Sequence, residues 1–95
     1  MNMEYCRLGK RFVIESRLER VKKPFVNPES RKINYLYSWV DTPISKPTMV
    51  VVVGMRRITD GIKDSNGHYH STESKWALLV TAKIRSVPFY INIPA

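Results

Sequence analysis

The chain reads as mainly β, a small barrel or partly open roll of five to six antiparallel strands, and three observations predict this. Two alternating runs stand near the C-terminal end, 76–84 and 87–93. In the first, Trp76, Leu78, Val80, Ala82 and Ile84 share one side, and Lys75, Thr81, Lys83 and Arg85 the other. That is the period of half-buried strands. A third run, Ile33 to Val40, alternates Ile33, Tyr35, Tyr37 and Trp39 with Asn34, Leu36, Ser38 and Val40. Gly and Pro turn signals punctuate the runs at spacings suited to short strands.

At 95 residues the chain is expected to form a single domain, 1–95, with one modest core. Function then belongs on the surface or in a shallow groove. The apolar fraction of 43% and charged fraction of 25% fit a globular chain rather than a disordered one. No apolar run approaches the roughly 18 residues of a membrane span. The first residues, Met1 to Cys6, lack a basic region followed by an apolar core, so a cytoplasmic protein away from membranes is expected. Cys6 is the only cysteine, which excludes an internal disulfide and a zinc site built on paired thiolates.

Within the chain, Lys10 to Lys23 is open between two readings. Helical spacing groups Ile14, Leu18 and Val21, with Glu19 four residues before Lys23, whereas Phe12-Val13-Ile14 favours β. A helix at 10–23 would make the class α+β, and strand is preferred because the remainder is so strongly β. Pro24 is read as the stop of this element, and Pro24 to Arg31 as an exposed connection. Asp41 to Thr48, with Pro43 and Pro47, is a second loop. Met49 to Met55 is apolar on both sides, as in a central strand covered on both faces, and Gly54 suggests a bulge within it. Asp60-Gly61 and Asn66-Gly67 are turn signals, the second for a two-residue hairpin turn pairing 62–65 with 68–71. That polar hairpin should project from the core and be mobile.

The charge pattern carries the functional expectation. Sixteen Lys and Arg against eight Asp and Glu give a net charge of +8, which points to an acidic partner: nucleic acid or an acidic protein surface. Between Arg7 and Lys32, nine cations including Arg17, Arg20, Lys22, Lys23, Arg31 and Lys32 face three glutamates. Tyr35 and Tyr37 follow at once, a mixture able to track phosphates and stack bases. The ordinary role of such aromatics is core packing, and Trp39 with one tyrosine suits it. Arg56 and Arg57 are adjacent, so on a strand only one can join any one surface, and the other can pair with Asp60. Lys75, Lys83 and Arg85 form a more coherent stripe, whose plain alternative is a charged edge that blocks aggregation.

No catalytic constellation is visible. Cys6 with His68 or His70 lacks a setting that would lower the thiol pKa, no phosphate-binding glycine loop occurs, and no carboxylate pair stands out. His68 and His70 flank Tyr69 and could share a metal with Cys6, Asp64 or Glu73, although two imidazoles on an exposed hairpin are ordinarily solvated. No enzyme activity, metal or cofactor is therefore expected.

The stretch Gly54 to Tyr90 resembles small uncharacterised proteins encoded by bacteriophages. The matching residues are Gly54-Met55-Arg56-Arg57 before Asp60-Gly61, then Trp76-Ala77-Leu78-Leu79-Val80 and Arg85-Ser86-Val87-Pro88-Phe89-Tyr90. The resemblance covers 37 of 95 residues and implies a phage accessory protein, a class that includes inhibitors of host enzymes and of anti-phage defence. The same pattern resembles an SH3-like β-barrel, with Val87-Pro88-Phe89-Tyr90 near the last strand. The acidic loop and leading aromatic signature of peptide-binding members are absent, so proline-rich ligands are not expected. The leading expectation is a non-enzymatic protein that docks on a host macromolecule and inhibits it. Its rivals are a nucleic-acid-binding barrel and a protein that sequesters a phosphorylated nucleotide, with homodimerisation possible in either case.

Overall fold

Backbone pairing organises the chain into one antiparallel sheet: β1 (Arg11–Val26), β2 (Ile33–Lys63), β3 (Tyr69–Thr81) and β4 (Phe89–Asn92), in the order β1-β2-β3-β4. The computed structural model describes residues 3–82 and 86–95, and a 3₁₀ turn, Met3–Cys6, precedes the sheet. The mainly-β class is as expected, and the segment open between helix and strand lies in β1. Among the described residues there are four strands rather than five or six, because expected strands merge. The runs at 33–40, 49–55 and 62–65 are all parts of β2, and 68–71 largely joins the Trp76 run in β3. None of the described residues forms a helix long and apolar enough to cross a membrane.

β2 has 31 residues and would extend about 100 Å if straight. The whole molecule measures 48 × 26 × 25 Å, so β2 must bend. Its sharpest irregularity lies between Pro43 and Thr48, where β2 advances five residues while β1 advances two, from Ser16↔Pro43 to Ile14↔Thr48. Pro43 and Pro47 lack N–H groups, and a bulge tolerates that lack where a regular central ladder would not. Two further register shifts lie at Val52/Gly54 and Asp60/Gly61. The first is the bulge expected at Gly54. The second corrects the turn expected at Asp60-Gly61, since the ladder continues through Ile62↔His70 to Lys63↔Tyr69.

Pro24 does not end β1. It lies opposite Tyr35 within the ladder, which continues to Val26↔Ile33. β1 has a neighbour on one side only, so a residue without an N–H is accommodated on its open edge. The connection consequently shrinks from Pro24–Arg31 to a tight tip. There Asn27 N–H donates to the Lys32 carbonyl (2.9 Å) and Arg31 N–H to the Asn27 carbonyl (2.8 Å), while Asn27 Oδ1 accepts from Glu29 N–H (2.9 Å).

The principal core gathers Ile14, Val50, Val52, Leu78, Val80 and Ile91, with Tyr5, Phe12, Phe89 and Ile93 at its margins. Tyr5 meets Phe12 edge to face at 5.0 Å, and Gly9 N–H donates to the Val52 carbonyl, so the N-terminal turn is tied over this core. A second cluster contains Leu18, Ile58 and Ala77, bordered by Trp39 and Tyr90. Ala77 and Leu78 point to opposite faces of β3 and both are fully buried, so this strand is covered on both sides. Trp76, expected beside Leu78 and Val80, is instead 48% exposed, because β4 pairs with β3 only over Ala77–Val80. The stretch Met49–Met55 is likewise covered on one face only: Val50 and Val52 are buried, whereas Met49, Val53 and Met55 are exposed.

The sheet curls until β1 and β4 approach within 8 Å between Cα atoms, yet no ladder joins them. The result is an open roll, not a closed barrel. At the first hairpin tip Arg31 has φ of 59°, a left-handed conformation that costs a non-glycine residue about 1 kcal/mol. Arg31→Gly is expected to stabilise the fold by about that amount, read as a rise in Tm of about 4–8 °C; an unchanged or lower Tm would contradict this account of the tip.

Candidate functional site

The bend in β2 sets the first hairpin, β1 with residues 33–43, against the second, residues 51–63 with β3. Besides the cluster of Leu18 with Ile58 and Ala77, a hydrogen bond and a ring contact join them. Trp39 N–H donates to Asp60 Oδ1 (2.9 Å), and Tyr69 meets Tyr37 with ring centroids 6.2 Å apart at 64°. Tyr69 is held in turn by its hydroxyl, which lies 3.0 Å from Thr59 Oγ1. Its ring crosses Gly61, where a Cβ would overlap both the phenol and the His70 carbonyl. Glycine is therefore required at 61 by the aromatic packed on it, a cross-strand pairing in which the ring covers the backbone that glycine leaves bare.

Register determines which of the expected binding residues meet. Arg20 lies opposite Trp39, Lys22 opposite Tyr37 and Pro24 opposite Tyr35, so all six occupy one face of the first hairpin. Each cation leans diagonally onto the next ring: Arg20 Cζ is 4.4 Å from the Tyr37 centroid, and Lys22 Nζ is 4.2 Å from that of Tyr35. Charge placed over a ring quadrupole is stabilised without a carboxylate. Arg17 does the same elsewhere, 4.7 Å above Phe89 of β4. Lys10 pairs instead with the Glu4 carboxylate, at 3.2 Å.

The remaining expected residues disperse. Lys23 lies on the opposite face from Lys22, and Arg31 and Lys32 are exposed at the hairpin tip. Arg56 is exposed on β2 opposite Ala77, while Arg57 Nε donates to Ser74 Oγ (3.0 Å) instead of pairing with Asp60. Lys75 donates to Asn92 Oδ1 (2.8 Å). Lys83 and Arg85, expected to form a stripe with it, lie outside the described residues. No single basic patch therefore unites the expected set.

The second tip corrects the two-residue turn expected from Asn66-Gly67. Asp64 N–H donates to the His68 carbonyl (2.9 Å) and Gly67 N–H to the Asp64 carbonyl (3.0 Å), with positive φ at Gly67 but not at Asn66. That is the pattern of a longer loop closed by a glycine bulge. Asp64 organises it, accepting N–H bonds from Asn66 (2.9 Å) and His68 (3.0 Å) on Oδ1 and approaching His70 Nε2 (3.2 Å) through Oδ2. Among the described residues no group of three or more His, Cys, Asp and Glu is disposed to hold a metal, the two histidines here included.

Two features escaped the sequence. One is an exposed apolar stripe on the outer face of the first hairpin, Phe25, Leu36, Val21 and Val40, linked diagonally across the β1–β2 ladder. Its signal was the apolar character of both sides of 33–40. The other is the convergence of Arg17, Trp39, Phe89 and Tyr90 at the β1–β4 seam, which no local pattern announces because the strands are distant in sequence.

Two outcomes follow. Gly61→Ala should displace Tyr69 and lower stability by about 1–3 kcal/mol, with loss of Tyr37–Tyr69 cross-peaks in NMR spectra; retention of both would show that the ring packing does not need glycine. The carboxyl of Asp64 is held below its ordinary value of 3.8, first by the His68 N–H and further by His70 and Asn66. A depressed carboxylate contributes stability above its unfolded pKa and loses it as pH falls through the folded value. Amide protection at Asn66 and His68, corrected for the intrinsic pH dependence of exchange, should therefore persist at pH 3.8 and be lost only at more acid pH, and Asp64→Ala should abolish the acid-dependent change.

Comparison with family models, curated proteins and solved structures gives no match for this chain.

Proposed function

We propose that this is a non-enzymatic docking protein that binds the acidic face of another protein and blocks it. The observation that carries the reading is the unpacked stripe on the outer face of the first hairpin. Phe25, Leu36 and Val40 are 37%, 39% and 44% exposed, and half-buried Val21 lies diagonally between Leu36 and Val40. Contiguous apolar surface of this kind is uncommon on a small monomer and serves as the centre of protein interfaces. Lys23 lies on the same face opposite Leu36, and Arg31 and Lys32 stand at the adjoining tip, so cations outnumber the rim's two carboxylates, Glu19 opposite Val40 and Glu29 at the tip. With a net charge of +8, the complementary partner is acidic, and cations at a rim steer encounter while apolar anchors hold the complex.

The same geometry ranks stacking of single-stranded nucleic acid lower. Tyr37 carries Arg20 over its ring and meets Tyr69 edge-on, and Tyr35 carries Lys22, so the rings that a base would use are engaged within the molecule. Resemblance to phage accessory proteins makes a host protein the partner class to seek. Pull-down from a nuclease-treated bacterial lysate, comparing the native chain with Leu36→Glu/Val40→Glu, tests the reading. An acidic protein captured by the native chain and lost with the double variant, at unchanged Tm, is the expected result. Capture that disappears on nuclease treatment, or that the double variant retains, overturns it. A native dimer that the variant converts to monomer assigns the stripe to self-association instead.

A further inference from the structure

At the seam where the roll stays open, β1 and β4 enclose a groove of about 390 Å³. Its walls are Arg17, Arg20, Trp39, Pro88, Phe89 and Tyr90, with Leu18 and Glu19 between the two arginines. We infer that this groove is a binding site for a nucleotide unit, an aromatic base joined to a phosphate. It adjoins the outer apolar stripe, since Glu19 lies opposite Val40 in the β1–β2 ladder, but shares none of the stripe's residues and does not depend on the docking function assigned there.

Three features specify the ligand chemistry. Trp39 and Tyr90 meet at 83° with centroids 5.3 Å apart, so the two rings form a corner against which a planar base packs flat on one side and edge-on to the other. The Arg17 guanidinium serves the groove, whereas Arg20 lines it but carries its guanidinium over Tyr37, and a guanidinium fork matches phosphate oxygens bidentately. Arg17 adds the second, independent observation: its Nε is shielded from solvent and has no hydrogen-bond partner, while its guanidinium stacks over Phe89. A shielded donor without an acceptor is rare in folded proteins and calls for an explanation. A phosphate that draws the guanidinium off Phe89 gives this Nε, closed to solvent-sized atoms as the side chain stands, the acceptor that the protein does not.

The volume lies at the small end of the range for small-molecule sites, which suits one nucleotide rather than a stretch of strand. Glu19 is the opposing feature. It lines the groove with a carboxylate, so Arg17 is set against one anion and the site favours a single phosphate group over a polyphosphate. The unit can arrive as a free nucleoside monophosphate or as the phosphorylated end of a strand, and the recognising chemistry is common to both.

The test uses the full chain carrying Trp76→Phe, which leaves Trp39 as the sole indole reporter. Fluorescence is followed on titration with adenosine and guanosine monophosphates, the corresponding nucleosides, inorganic phosphate, and a short single-stranded oligonucleotide with and without a 5′-phosphate. The monophosphate is expected to bind at least about tenfold more tightly than either nucleoside or inorganic phosphate, because base and phosphate contacts are both needed. Arg17→Gln should lose about tenfold or more in affinity and Arg17→Lys an intermediate amount, since the charge survives but the fork does not. Glu19→Gln should bind more tightly, and Leu36→Glu should bind as the native chain does. Circular dichroism melting of each variant confirms folding, and Arg17→Lys provides the loss-of-binding test should Arg17→Gln fail to fold. Preference for the 5′-phosphorylated strand over free monophosphate identifies a strand end as the source, and the reverse identifies a free nucleotide. Equal affinity for inorganic phosphate and monophosphate, indifference to Arg17, or no quenching by any phosphorylated probe overturns the inference.

Discussion

The structure depends on the bending of one strand. β2 contributes about a third of the chain to a single run of sheet, and within a molecule 48 Å long that run must fold back on itself. Each departure from regular pairing has a local cause. Pro43 and Pro47 occupy the place where β2 outruns β1, Val53 is squeezed out beside Gly54, and Gly61 gives way to the ring of Tyr69. Bulges increase twist and bend the strand that carries them. Two in β2, with a third in β3 where Thr72 is the extra residue across from Asp60-Gly61, turn what would be a flat ribbon into two hairpins facing each other, and everything that resembles a site lies on the surfaces this creates.

Facing hairpins explain how so basic a chain stays compact with few carboxylates to neutralise it. Arg17, Arg20 and Lys22 are placed over Phe89, Tyr37 and Tyr35, so aromatic faces do work that ion pairs do elsewhere. The rings lie on the apolar side of the hairpin, continuous with Leu18 and Trp39, and the aliphatic stems of Arg and Lys extend that apolar surface towards the mouth. The interior thus grades from hydrocarbon to cation along one face, with Arg17 Nε the shielded donor that this gradient leaves without an acceptor.

Class and local strand period were legible from the sequence because they are set by neighbours. The alternation of Leu78 and Val80, the bulge beside Gly54 and the tip at Gly67 depend on residues within a few positions. Strand ends were less legible. Pro24 and the Asp60-Gly61 pair are ordinarily breakers, and only membership of an edge strand or the presence of Tyr69 across the sheet reverses that meaning. Of the expected site, Arg20, Lys22, Tyr35 and Tyr37 come together because they sit on adjacent strands of one hairpin. Lys23, Arg56 and Lys75 scatter because face, not proximity in sequence, assigns their surroundings. The Arg17 groove was invisible for a stronger reason: its walls come from strands whose adjacency is decided only by the curl of the whole sheet.

That distance has a consequence for how the molecule assembles. Pairing can begin at Val26↔Ile33 and at Lys63↔Tyr69, where each tip closes a loop of a few residues at small entropic cost. The contact of Arg17 with Phe89 spans roughly seventy residues and gains no backbone ladder in return. Closure entropy therefore places the seam last in folding and first in local opening, so the groove is the part of the molecule whose occupancy a ligand can most readily change.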